Sequence, residues 1–237
     1  MCDKQFLQHF AELKKRVLQS VLFIVLLFIS LFYFSDHLFK YFALPLLQQF
    51  NNGQGLIAID VTTPILTPIK FSLWLSLFIA IPFLLYQIWS FVTPGLYPHE
   101  RQSIWKLILT STVLFYLGML FVYWLVLPMI FHFFTRWVPS YVLFMPDMQH
   151  YLSFSLKLFF AFGVAFQVPV IIYMLWRLEL CSIEALQKSR AYVIVIAFIL
   201  GMLLTPPDVI SQIMLALPIY LLFELGVLFV RLSQPVK

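Results

Sequence analysis

The sequence predicts an all-α integral membrane protein with six transmembrane helices and both termini on the cytoplasmic side. Three observations carry that prediction. Hydrophobic residues fill 62% of the 237 positions and charged residues only 11%, where soluble domains run at about 45–50% and about 25%. No soluble core of this size hides so much apolar side chain, because surface grows too quickly with volume. Apolar runs long enough to span a bilayer recur along the chain, and basic residues crowd into alternate connections.

The elements follow in order. The first span, about 17–34, comes after Lys14-Lys15-Arg16, and with no small-x-small cleavage site after Phe34 it is expected to be retained. The next connection has bulky apolar residues at helical spacing over 37–50 around Pro45, then Asn51-Asn52-Gly53-Gln54-Gly55. That pattern suits a short interfacial helix forming an outer lid, followed by a turn. The second span, about 68–92, is expected to open at Thr67-Pro68, a cap followed by proline at the first helical position, and carries Pro82. The third, about 104–127, is expected to end at Pro128, and the fourth, about 151–176, holds Pro169. Interior prolines are tolerated in membrane helices, so kinks are expected near Pro82 and Pro169.

The last two spans are expected to be short. The fifth, about 191–204, is closed by Pro206-Pro207, and its length gives a rise of ~21 Å against a hydrocarbon core of ~30 Å. The sixth, about 209–230, is interrupted by Glu224. Thr205-Pro206-Pro207-Asp208 joins the two. Residues 1–237 then make one polytopic membrane domain, with no internal repeat and no separate soluble domain.

Orientation follows from the bases. With the N-terminus inside, the inner segments hold Lys4, Lys14, Lys15, Arg16, Arg101, Lys106, Arg177, Lys188, Arg190, Arg231 and Lys237. The outer segments hold only Lys40, Lys70 and Arg136, which is a clear positive-inside bias. Cys2 and Cys181 then fall on the inner side as two free thiols.

Enzyme chemistry is not expected. The seven glycines form no phosphate cradle, and there is no nucleophile elbow or zinc-binding H-E-x-x-H helix. Neither cofactor, metal nor nucleic-acid partner is expected. Two carboxylates on the basic inner face, Glu12 and Glu100, admit two readings. Glu12 can pair locally with Arg16, and Glu100 can neutralise Arg101 or favour the start of the third helix. Either can instead receive a cationic partner. Lys157, Gln167, Gln212 and Glu224 lie within the spans, where polar groups face protein, a wet cavity or the interface. The residues leave those roles open.

Five stretches together resemble the TatC family of the twin-arginine translocase. They are His9-Phe10-Ala11-Glu12-Leu13, Ala43-Leu44-Pro45-Leu46, 91–101 (Phe-Val-Thr-Pro-Gly-Leu-Tyr-Pro-His-Glu-Arg), 162–169 (Phe-Gly-Val-Ala-Phe-Gln-Val-Pro), and 201–208 (Gly-Met-Leu-Leu-Thr-Pro-Pro-Asp). Each is moderately specific, and the five in this order and spacing are highly specific. The resemblance implies the core subunit of a translocase in the bacterial cytoplasmic (inner) membrane. Such a subunit receives twin-arginine signal peptides and, with single-span TatA and TatB partners, moves folded proteins at the expense of the proton-motive force.

The resemblance also implies residue roles. Glu12 and Glu100 would take the arginine pair, with Phe91, Leu96, Tyr97 and Arg101 shaping the surface. Partners would dock along the fifth and sixth helices, at Met202, Leu203, Leu204, Thr205 and Gln212. Pro45, Pro82, Pro169, Pro206, Pro207 and Asp208 would be structural, and self-association is compatible with the sequence. Lys14, Gln102 and Gln167 depart from the family pattern, and Gln167 replaces a glutamate, which argues against an obligatory titrating carboxylate there. The rival class is a proton-coupled small-solute transporter lined by Lys157, Gln167 and Glu224.

Overall fold

The computed structural model describes residues 2–47, 56–92, 104–137, 146–204 and 209–233. Helices come in the order α1 (Cys2–Phe32), α2 (Ser35–Leu47), α3 (Thr63–Val92), α4 (Ile104–Phe121), a π turn (Val122–Val126), α5 (Leu127–Trp137), α6 (Met148–Ala165), α7 (Val168–Arg177), α8 (Ile183–Lys188), α9 (Arg190–Leu204) and α10 (Val209–Leu232). Among the described residues, five helical stretches are long and apolar enough to cross a bilayer, and α9 is a shorter apolar helix. The backbone packs as two compact units, 1–44 with 58–112, and 45–57 with 113–237.

In the first unit α1 packs along α3. The helix begins at Cys2, well before the expected span, so its basic residues lie on the same rod as its apolar ones. Leu18, Leu22, Leu26 and Ile29 stay exposed, as suits a helix bathed in lipid. A short helix, α2, stands where one is expected, and its Phe39 and Phe42 rest on Phe71 with ring centroids 5.9 and 4.8 Å apart. The 51–55 turn lies outside the described residues. The start of α3 corrects the expected cap. Two Thr-Pro pairs stand in tandem, and the first one opens the helix: the Leu66 N–H donates to the Thr62 carbonyl at 3.0 Å. Pro64 thus takes the first turn, where no N–H is required, and Thr67-Pro68 falls inside. The helix continues through Pro82.

In the second unit Pro128 does not end the third span. The Leu127 N–H reaches back to the Val122 carbonyl, an i→i+5 bond, and the chain goes on as α5. The wider turn places Pro128 at the second position of the new helix, where its missing donor does no harm. The fourth span breaks at Phe166-Gln167, and Pro169 sits in the first turn of α7.

α10 packs against α7 and α9. Small residues permit that approach: Ala165, Ala197 and Ala216 form one buried cluster with Ile219 and Leu222. A Cβ added at Gly226 would lie 2.9 Å from the Pro169 Cα, so only glycine lets α10 cross α7 this closely. α9 has 15 residues and is short, as expected. The sixth is not: α10 has 24 residues, ~36 Å at 1.5 Å each, because Glu224 is paired instead of ending the helix. Ile57 bridges Asp147, whose carboxylate caps α6 by accepting the His150 N–H at 3.0 Å.

Candidate functional site

The candidate site of the first unit is built on α1 and α3. Glu12, Arg16 and Gln19 stand at three- and four-residue spacing, so all lie on one face of α1. α3 brings Gln87 to that face from 71 positions away. The Arg16 guanidinium is held from both sides. Its Nη2 and Nε donate to Glu12 Oε1 at 2.6 and 3.1 Å. Its Nη1 donates to Gln87 Oε1 at 3.1 Å and faces the Gln87 carbonyl at 3.5 Å. Gln87 Nε2 in turn donates to Gln19 Oε1 at 3.3 Å.

Burial grades across this chain of groups. The Gln87 residue is 9% exposed, the Arg16 side chain 20% and the Glu12 side chain 43%. The amide therefore sits in the helix interface, where an unmatched polar group is costly, and Arg16 satisfies it. The carboxylate is the more open of the pair, and the Lys14 and Lys15 that follow it are exposed. It is a half-open acceptor already holding one guanidinium through two donors. The local reading of Glu12, a pair with Arg16, is thus what the structure contains. Gln87 was not singled out from sequence, although a lone amide between Ser76 and Ser90 in an apolar helix is a signal for a polar partner.

α3 and α4 frame an apolar groove of about 350 Å³ in the same unit. Pro82, Phe83, Tyr86, Trp105, Ile108 and Leu109 line it, with Tyr86 stacked on Trp105 at 5.9 Å. Trp89 Nε1 donates to Ser111 Oγ at 3.1 Å and ties the two helices together. Phe91 is half-buried near the end of α3. Glu100, Leu96, Tyr97 and Arg101 lie outside the described residues, as do Thr205, Pro206, Pro207 and Asp208.

The second unit disposes its polar groups differently. Glu224 accepts from Arg190 Nη2 at 2.9 Å, lies 2.7 Å from Arg190 Nε, and accepts the Tyr220 hydroxyl at 2.9 Å. It is one end of a latch between α9 and α10. Lys157 is exposed on α6, whereas Gln167 is buried at the break before α7. Gln212 Nε2 donates to the Phe198 carbonyl at 2.9 Å and packs against Gly201, where any Cβ would meet it at 3.1 Å. Met202 and Leu203 are exposed on α9, and Leu204 is half-buried.

Comparison with known proteins covers most of the chain. Residues 8–218 match the family described as Sec-independent protein translocase protein (TatC). The Sec-independent protein translocase protein TatC of Haemophilus influenzae is 46% identical over 233 residues, covering 98% of this chain and 91% of that protein. Its Escherichia coli K12 counterpart is 45% identical over 223 residues, covering 94% and 86%. The crystal structure of the twin-arginine translocase receptor TatC is similar with a TM-score of 0.84 at 37% identity, over 94% of this chain and 98% of that one. A second crystal structure of that receptor, in DDM, gives a TM-score of 0.85 at 36% identity. The chain belongs to the TatC family of Sec-independent protein translocase proteins: it is a multi-pass membrane component of protein transport, not a soluble protein with a membrane tail.

Proposed function

We propose that this chain is the signal-peptide receptor of a twin-arginine translocase, and that Glu12 and Glu100 bind the arginine pair of the signal. The observation that carries the reading is the Arg16–Glu12 pair. A carboxylate 43% exposed, on a basic face, already accepts a guanidinium through two N–H donors. A guanidinium is always charged and offers a planar fork that an ammonium lacks, so this acceptor favours arginine over lysine. Phe91, Leu96, Tyr97 and Arg101 shape the surrounding surface in this reading. The test is crosslinking of a twin-arginine signal peptide to the purified chain, with a twin-lysine peptide as control. Equal crosslinking of both would reject it.

Single-span TatA and TatB subunits are the proposed partners, docking at Met202, Leu203, Leu204, Thr205 and Gln212. The exposed apolar side chains of Met202 and Leu203 on a short helix support this. The proposed setting is the cytoplasmic (inner) membrane with both termini inside, supported by the eleven inner bases against three outer ones. Single cysteines at Asn52 and Ser140 should label from outside with an impermeant maleimide, and one at Gln187 should not. Labelling of all three from one side would overturn that orientation. The transport cycle is not catalytic in this reading and draws on the proton-motive force. The transporter alternative loses its carboxylate, because Glu224 is engaged by Arg190 and Tyr220.

A further inference from the structure

The receptor reading leaves one chemical problem at its own site. Glu12 is the proposed acceptor for an incoming arginine, yet it is already engaged by Arg16 of the same helix. An arginine 20% exposed cannot simply be released, since a guanidinium left without acceptors in a helix interface is costly. α3 supplies the alternative. Gln87 Oε1 takes Arg16 Nη1 at 3.1 Å, the Gln87 carbonyl lies at 3.5 Å, and Gln19 fixes the amide from its other end at 3.3 Å.

Resting on the receptor reading, we propose that Arg16 is an internal competitor for the guanidinium site of Glu12, and that Gln87 is the positioning residue that holds Arg16 when Glu12 turns to the signal peptide. The carboxylate then exchanges one guanidinium for another of the same chemistry, while Arg16 keeps the neutral acceptors of Gln87. The amide sets how readily the exchange occurs. A stronger acceptor at position 87 draws Arg16 away from Glu12 and favours the peptide; a side chain without an acceptor leaves Arg16 on Glu12 and disfavours it. No covalent step is involved. Among the described residues of α1, Lys15 is the other charged group one turn from Glu12, and α3 carries no charged residue within a turn of Gln87.

The test is equilibrium binding of a fluorescent twin-arginine signal peptide to the full chain in lipid nanodiscs. Gln87→Met keeps the volume and removes the acceptor, and should weaken binding by about two- to tenfold, the worth of one hydrogen bond. Gln87→Glu should change affinity in the opposite sense, by a comparable factor. A merely structural role would lower affinity in both variants. Arg16→Met should strengthen binding by removing the competitor, and should erase the effect of Gln87→Met when the two are combined. Weakening by both Gln87 variants, or a Gln87→Met effect undiminished in the Arg16→Met background, would overturn the proposal. Glu12→Gln separates the two levels. If it lowers affinity while the Gln87 variants behave alike, only the exchange fails; if it leaves affinity unchanged, the receptor role of Glu12 fails with it.

Discussion

Two arginine–glutamate pairs, one in each unit, use the same chemistry for different ends. Arg16 and Glu12 sit four residues apart on one helix, so their pairing adds nothing to how α1 meets α3; Gln87 does that. Arg190 and Glu224 are 34 residues apart and join the start of α9 to the C-terminal half of α10. Exposure runs in opposite directions. In the first pair the carboxylate is the open partner, 43% against 20%, and in the second it is the shielded one, 28% against 42%. An open carboxylate can exchange its cation, whereas a shielded one that also holds the Tyr220 hydroxyl works as a latch. Where the carboxylate faces, and not the presence of a pair, separates the proposed binding group from a structural one.

The same substitution should therefore read out differently in the two units. Glu224→Gln leaves Arg190 without a carboxylate and should destabilise the α9–α10 packing by roughly 1–3 kcal/mol, seen as earlier thermal unfolding in detergent, with peptide affinity unchanged. Glu12→Gln should cost only ~0.2–0.5 kcal/mol of stability, the worth of a pair along one helix, while lowering peptide affinity. Equal losses of stability would erase the distinction. A smaller effect is expected at Gln212, whose amide already serves the Phe198 carbonyl. Gln212→Leu should weaken copurification of a single-span partner by ~0.6–2 kcal/mol and leave peptide crosslinking intact. Unchanged partner recovery would remove Gln212 from the docking surface. Smallest is Glu179, which closes α7 at φ 58°, in the left-handed region. Glu179→Gly should stabilise the chain by up to about 1 kcal/mol, measured by the same unfolding, and should touch neither binding function.

The spans were legible because lipid imposes one rule, an apolar run of sufficient length, on every helix. What was not legible came from long-range partners and from proline read too locally. Glu224 looked like an interruption because Arg190, its counter-charge, lies on another helix. Gln87 drew no notice because neither Arg16 nor Gln19 is near it in sequence. Pro128 looked like a stop, but a π turn displaced the backbone that its ring would have struck. Thr67-Pro68 looked like a start, while the identical chemistry of Thr63-Pro64 one turn earlier took that place. The pairing of Glu12 with Arg16 was readable from spacing alone, and the family from five short stretches. Glu100 rests on that resemblance and on charge.

The central claim is that Glu12 and Glu100 receive arginine because a carboxylate matches the charge and planar fork of a guanidinium. The direct measurement is signal-peptide affinity for the wild-type chain, Glu100→Gln and Glu12→Gln, each against twin-arginine and twin-lysine peptides. Glu100→Gln should lose roughly ten- to more than a hundredfold for the twin-arginine peptide, the worth of a charge-assisted bond of ~1.5–3 kcal/mol, with expression unchanged. Twin-lysine binding should be weak throughout and insensitive to the substitution. If Glu100→Gln binds the twin-arginine peptide as tightly as the wild type does, the account is contradicted, and Glu100 is a carboxylate neutralised by its neighbours.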